Sequence, residues 1–425
     1  MSNGLKFAIV AVVVNLHTLR NLSFATYIAI YAVVSGVLVA DFLIRMAKDE
    51  RRLGWGPFVA WLAASLLGAL ISLGTISASG ALTGLSRFLF AMPIFMALYL
   101  YTDDLEQLRG HVKTLVVFFA LASLTLPMQI VTGPISWFAG ATERGGLERY
   151  ASLVGSLTSI GVVVGSYLLL THALTPRSRP WWMILIAVSA AMSLSKAAIA
   201  NVAIAFGVLL VMNRRHLSRI VFGLGLVAVL GLAIYSLSTV VQDRVDAVLV
   251  SFGIQNSAIE NFDVSAEESV MDRLLTLPAA NLEVLKTFGT PLIYVFGAGF
   301  GMANTALVPE EDSLAQMAHN QYVEVFSVFG IVGAALIFGA MLTMLVRLVR
   351  LHRRIRSDVT SAVLWAYVLI LVNSVTANGT LYQPAAASIL YLGMYCAVAE
   401  GLFVRAADAR SGLSGLDRKN NATIR

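Results

Sequence analysis

Apolar stretches of about the length needed to cross a lipid bilayer follow one another along almost the whole of this chain. They lie near residues 5–19, 23–44, 57–78, 86–101, 114–132, 151–173, 180–194, 197–212, 219–241, 321–346, 360–377 and 385–404. A spanning helix needs roughly 20 apolar residues. Inside hydrocarbon only helices and closed barrels satisfy their own backbone groups. The runs lack the period-two alternation of barrel strands, so they read as helices. Only 13% of the 425 residues are charged and 58% are apolar, whereas a soluble domain carries about 25% charged residues. A cytosolic enzyme, a secreted disulfide scaffold and a disordered chain are therefore excluded. The one cysteine, Cys396, lies inside a late apolar run, which leaves no internal disulfide and no CxxC motif. Asn15, His17, Thr18 and Arg20 stand where a signal peptide would carry a small-residue cleavage site, so the first run reads as a retained span.

Charge sets the expected topology. With the amino terminus inside and the runs alternating, 22 of the 30 basic residues fall on the inner side, as the positive-inside rule requires. Lys6, Arg45, Lys48, Arg347 and Arg350 are among them. The outer side keeps Arg20, Arg87, Arg144, Arg149, Lys196, Arg244, Arg273 and Lys286, with 14 acidic residues. The expectation is an all-α polytopic integral membrane protein of about 12 transmembrane helices, both termini cytoplasmic. Helices 1–9 occupy 1–241, one large outer loop occupies 242–320, helices 10–12 occupy 321–404, and a cytoplasmic tail occupies 405–425. Runs 180–194 and 197–212 are short, and arginines flank the pair on both sides. They read as a hairpin with Ser193, Ser195 and Lys196 at its tip. A structureless loop as long as 242–320 is unusual and points to function or internal structure. Glu267–Leu277 and Ala279–Phe288 read as short amphipathic helices, separated by Pro278.

The outer cations run against the topology rule. A cation there snorkels to headgroups or meets an anionic partner. Arg149, Lys196, Arg273 and Arg87 can be headgroup anchors, or a cluster around a lipid diphosphate. Arginine suits the second role because its planar fork binds phosphate oxygens in pairs. His319, where the outer loop enters span ten, can take a proton near neutral pH or serve as a hydrogen-bonded structural residue. Asn320 beside it can orient the ring or a sugar hydroxyl, and Tyr322 follows it. Glu324 falls within the outer leaflet, where an acid needs a partner or a wet cavity. The remaining histidines do not converge, Glu310-Glu311-Asp312 reads as a solvated loop, and no metal site is expected. Gly297-Ala298-Gly299-Phe300-Gly301 lacks the flanking strand and helix of a nucleotide fingerprint and reads as tight turns. No P-loop, GxSxG or HExxH motif occurs.

Three segments together resemble the O-antigen ligase and O-antigen polymerase superfamily of bacterial envelope glycosyltransferases. Ser193-Leu194-Ser195-Lys196-Ala197-Ala198 resembles that family's S-x-S-R-(small) hairpin. Asp272-Arg273 through Gly297-Ala298-Gly299-Phe300-Gly301 resembles its outer-loop arginine followed by G-x-G-x-G. His319-Asn320-Gln321-Tyr322 followed by Gly330-Ile331-Val332-Gly333 resembles its HN-x-(aromatic or Leu) helix entry with a G-x-x-G. Arg149 through Gly155-Ser156-Leu157 is a weaker fit to an arginine-bearing segment of the family. The likeness covers about residues 149–346. Lys196 departs from the family's arginine, keeping the charge but not the fork.

The resemblance implies a glycosyltransferase at the periplasmic face of a bacterial inner membrane. Its donor is a glycan on undecaprenyl diphosphate, and it needs no cofactor and no metal. Arg273, Lys196 and Arg149 would stabilise the departing diphosphate, and His319 would be the base. Arg87, Asn320, Tyr322 and Glu324 would help to bind substrate. A polymerase passes the chain to a new lipid-linked repeat unit; a ligase passes it to lipid A core. The acidic outer balance lacks the cationic platform expected for a phosphorylated core, which favours the polymerase. Expected partners are these glycans, membrane lipids and a chain-length regulator protein, with no nucleic acid. A secondary transporter or lipid flippase is the alternative of another class; the nearly uncharged span interiors speak against it.

Overall fold

The computed structural model describes residues 1–49, 53–138, 142–144, 147–155, 157–193, 195–212, 275–303, 313, 318–377 and 379–409. The run 219–241, most of the large loop with Arg273 and Glu310-Glu311-Asp312, and the tail from 410 lie outside the described residues.

The protein is an all-α membrane-embedded chain with one small hairpin. In chain order the helices are α1 (Asn3–Asn15), α2 (Phe24–Lys48), α3 (Gly56–Thr75), α4 (Ala78–Phe88), α5 (Met92–Tyr101), α6 (Leu105–Ser123), α7 (Thr125–Thr132), α8 (Leu157–Leu170), α9 (Arg179–Met192), α10 (Lys196–Met212), α11 (Leu277–Lys286), α12 (Leu292–Phe296), α13 (Gln321–Ile355), α14 (Asp358–Asn373), α15 (Pro384–Val398) and α16 (Glu400–Ala409). Each expected run that is described is helical over most of its length. Among the described residues four helices are long and apolar enough to cross a membrane: α2, α3, Leu105–Gln129 and α13. The count is six if the bent pairs α4–α5 (42°) and α15–α16 (58°) each form one span.

Three local features depart from the sequence expectation. Residues 79–85, expected as a loop, belong to α4. Ser77 caps it by accepting the Gly80 amide at 2.9 Å, and Gly84 lets it close on the Phe300 ring. Arg87 therefore stands in the last turn of a helix, not at the start of one, and a cation there complements the helix dipole. Pro278 does not break a helix but begins α11, because proline fits the first turn, whose amides lack partners anyway. The third feature is an antiparallel pair in an otherwise helical chain. Strands β1 (Thr142–Arg144) and β2 (Leu147–Arg149) pair with Thr142 opposite Arg149.

The innermost elements are α5, α8 and α15; every residue of α15 is buried. Short contacts lock α8 to its neighbours. Ser166 Oγ donates to the Ala366 carbonyl at 3.0 Å, Asn373 Nδ2 to Val162 O at 2.7 Å, and Tyr167 stacks on Phe119 with ring centroids 4.0 Å apart. By contrast α2 buries only Tyr27, Leu38 and Phe42, so most of its apolar surface faces outward. Basic residues gather at one end of the bundle. Arg347 Nη1 donates to Gly54 O at 2.6 Å, Gly54 N donates to Val398 O at 2.9 Å, and Lys6, Arg45 and Lys48 line one hollow. The first turn of α13 lies at the other end.

Candidate functional site

The site is built on an interruption in α13. Gly330 has φ 62° and ψ −169° inside the helix, which breaks the intrahelical ladder there. Broken backbone at membrane depth survives only when other protein groups satisfy it. Here the segment Gly297–Gly299 does so. Ala298 N donates to Ser327 O and Gly299 N to Val328 O, each at 2.9 Å. On its other side this segment is pinned to α3: Phe300 N donates to Ser72 Oγ at 2.7 Å, and Thr75 Oγ1 donates to Ala298 O at 2.8 Å. Gly297, Gly299 and Gly330 all have positive φ. A methyl on Gly297 would overlap the Val328 carbonyl, and one on Gly330 would overlap the Gly297 amide. The GAGFG motif is thus a buried strap interlocked with the GIVG motif, in place of the tight turns expected beneath the loop helices.

Nine residues before the kink, about 13 Å along a helix, the first turn of α13 presents the polar groups. Asn320 is its N-cap; Oδ1 accepts the Tyr322 and Val323 amides at 3.0 and 3.2 Å. That oxygen is therefore engaged by backbone. Tyr322 sends its hydroxyl to the Leu371 carbonyl at 2.7 Å and ties α13 to α14. His319 precedes the cap with φ 45°, a left-handed conformation histidine adopts more readily than most residues. It is half-buried.

Glu324 is 3% exposed. It accepts from Gln321 Nε2 at 3.1 Å and from the Tyr382 hydroxyl at 3.0 Å. Thr380 Oγ1 donates to Gln321 Oε1 at 3.4 Å and pairs with Ser374 Oγ at 2.7 Å. Five buried side chains thus join in one network, the form in which a carboxylate is tolerated away from water. A hollow of about 10 Å³ adjoins Glu324, walled by Phe88, Phe300, Phe329 and Tyr382, roughly the room one water needs. Glu324 is therefore enclosed, and a glycan does not reach it in this conformation. Its carboxylate fixes Tyr382 and Gln321, and through them the start of α13. Arg87, half-buried, immediately precedes the cavity residue Phe88.

The Ser193–Lys196 tip belongs to the same end. Ser195 Oγ sits against Gly161 of α8, 2.9 Å from where a Cβ would lie. The next residue, Val162, accepts from Asn373 Nδ2 at 2.7 Å, and the Gln321 amide donates to Ser374 O at 2.9 Å. Lys196 opens α10 and Arg149 ends β2; the side chains of both, like all of Arg273, lie outside what the structure describes. The chain after Arg149 is held over the start of α8, with Gln129 Nε2 donating to Ala151 O at 2.7 Å and Thr18 Oγ1 to Ser152 O at 3.3 Å.

Sequence reasoning missed Tyr382, Gln321, Thr380 and Ser374. The one available signal was a polar and aromatic run, Thr380-Leu381-Tyr382-Gln383, between the last two apolar runs. No protein-family model and no curated protein matches the chain.

Proposed function

We propose that this chain is a twelve-span glycosyltransferase, with its site facing the periplasm, that polymerises oligosaccharide repeat units carried on a polyprenyl diphosphate. The supporting observation is convergence. The hairpin tip, the Gly297–Gly301 strap, the first turn of α13 and the segment after Arg149 are far apart in sequence, yet all lie toward the end of the bundle opposite Lys6, Arg45, Lys48 and Arg347. His319 takes the proton of the acceptor hydroxyl as that oxygen bonds to the anomeric carbon. The bond from that carbon to the phosphate oxygen breaks, and the lipid diphosphate leaves with the electron pair. Cations at Arg273, Lys196 and Arg149 stabilise the charge that develops on it, a kind of contribution worth about 3–4 kcal/mol per donor. A ligase differs only in passing the chain to lipid A core.

The test is turnover of a defined polyprenyl-diphosphate-linked repeat unit by purified protein in chelator. A ladder of longer products is expected, falling about 10²–10⁴-fold in His319→Ala. A ladder equal to wild type in His319→Ala and in Arg273→Ala overturns the assignment. Single additions to a lipid A core acceptor without a ladder indicate the ligase.

A second reading, a secondary transporter, draws on the break in α13 at Gly330 and the buried Glu324, since broken helices and enclosed carboxylates serve ion coupling. Substrate-dependent proton flux in vesicles, lost in Glu324→Gln, would establish it.

A further inference from the structure

A hollow of the described residues lies at the opposite, basic end, where the first turn of α1, the last turns of α2 and the end of α5 meet. It measures about 650 Å³, within the range of roughly 300–1,000 Å³ typical of ligand sites. Its charged lining is of both signs: Lys6, Arg45 and Lys48 against Asp41 and Asp49. Two of these are already engaged. Arg45 donates to the Leu100 carbonyl and to Asp103, at 2.8 Å for the latter, and Asp49 accepts the Tyr99 hydroxyl. The ammonium of Lys6 lies 5.4 Å from the Tyr101 ring centroid. Among the described residues Lys6, Lys48 and Asp41 join no ion pair. Two cations and one carboxylate thus line the hollow without an ion pair among the described residues.

The wall also tells what kind of molecule fits. Ile44 lines the hollow and is 56% exposed. It continues the outward apolar stripe of α2 formed by Val33 and Val37, 66% and 57% exposed. The polar hollow thus opens directly onto the surface that α2 turns to acyl chains. A soluble ligand has no use for that stripe, whereas a phospholipid uses both parts.

We infer that this hollow holds the headgroup of a zwitterionic aminophospholipid, its phosphodiester on Lys6 and Lys48 and its ammonium on Asp41. Basic recesses between spanning helices bind phosphate-bearing headgroups. A purely anionic headgroup would leave Asp41 facing a phosphate, a like-charge contact that an ammonium converts into an ion pair. The bound lipid seals the seam between α1 and α2 beside α5, and this does not depend on the function proposed above.

Native mass spectrometry of the purified full chain tests this with three probes: phosphatidylethanolamine, phosphatidylglycerol and soluble phosphoethanolamine. The expected result is retention of phosphatidylethanolamine at a concentration at least threefold lower than phosphatidylglycerol. In the Lys6→Gln, Lys48→Gln double variant both lipids weaken, the ethanolamine lipid about tenfold. Asp41→Asn weakens the ethanolamine lipid only and erases the preference. Equal or tighter binding of phosphatidylglycerol by wild type overturns the inference, and that comparison needs no variant. An unchanged preference in Asp41→Asn overturns it too. Binding of soluble phosphoethanolamine as tight as that of the lipid assigns the hollow to a soluble phosphate compound instead.

Discussion

Two contacts in this molecule are built on glycine, for different physical reasons. Between α8 and α10, Gly161 and Gly165 sit in unbroken helix and let a second backbone approach. A Cβ on Gly165 would lie 2.6 Å from the Asn201 carbonyl oxygen, and Asn201 Nδ2 returns a bond to Gly161 O at 2.7 Å. This is the small-xxx-small packing common between membrane helices. Between α13 and the strap, Gly330, Gly297 and Gly299 are needed for their positive φ as well as for space. The first contact leaves both helix ladders whole. The second opens one and repairs it with a segment from elsewhere in the chain. Interruptions repaired in this way gather at working sites because they hold backbone and side chains in arrangements a regular helix lacks.

The largest expected effect follows from that difference. Gly165→Ala meets only the steric penalty of overpacking, about 1–3 kcal/mol. Gly330→Ala meets the same kind of penalty plus about 1–3 kcal/mol for a backbone region that is essentially glycine-only, and it uncouples the strap. The expectation is that Gly330→Ala fails to accumulate as folded protein or loses all turnover. Gly165→Ala should fold with a lowered thermal midpoint and keep its product ladder. Gly207, where an added methyl would meet nothing within 4 Å, is the control, and alanine there should be neutral or stabilising by up to about 1 kcal/mol. Fluorescence-detected size exclusion and thermal unfolding of the three variants give the ranking. Equal tolerance at 330 and 165 would erase the distinction between the contacts.

The same comparison marks what the sequence made legible. Helix positions follow from apolar run length, which sequence displays directly. The start of α4 did not show, because Ala78–Ser86 is mostly small and polar, with Leu82 and Leu85 alone too few to mark an apolar run. Its burial of Gly80, Ala81 and Gly84 comes from packing against α3 and Phe300, a partner more than 200 residues away in the chain. Strands β1 and β2 have three residues each, too few for a period, although Gly145-Gly146 between them is a hairpin signal. In the site, His319, Asn320 and Glu324 were legible as polar residues at the mouth of an apolar run. Tyr382 was not, since its bond to Glu324 spans 58 positions and long-range pairing leaves no local trace. The two glycine motifs were visible, but not that each exists to accommodate the other.

A smaller effect isolates the strap's anchorage from its fit against α13. Ser72 accepts the Phe300 amide, and both residues are fully buried. Its own hydroxyl donates back to Gly68 O at 2.6 Å. Ser72→Ala removes the acceptor and leaves a buried amide unpaired, at a cost of about 1–3 kcal/mol. Ser72→Thr keeps it. Thermal unfolding should place Ser72→Ala clearly below Ser72→Thr, with turnover falling in step because the strap carries Phe300 against the site. A Ser72→Ala protein as stable as wild type would show the strap to be held by α13 alone.

The smallest effect concerns the residue on which two roles compete. Asn320 lies beside His319, where a substrate contact is expected, but its Oδ1 caps α13. Asn320→Ala removes the cap and should cost about 1 kcal/mol. Asn320→Asp keeps the acceptor and adds a negative charge at a helix N-terminus, where the dipole favours it. If capping is the whole role, Asn320→Asp matches wild type in both thermal midpoint and turnover, and Asn320→Ala falls modestly in both. If the side-chain amide N–H also contacts a sugar, aspartate loses that donor. Turnover then falls in Asn320→Asp while stability does not. Measuring both quantities on both variants separates the roles, because the cap depends on the oxygen and a sugar contact on the nitrogen of the same amide.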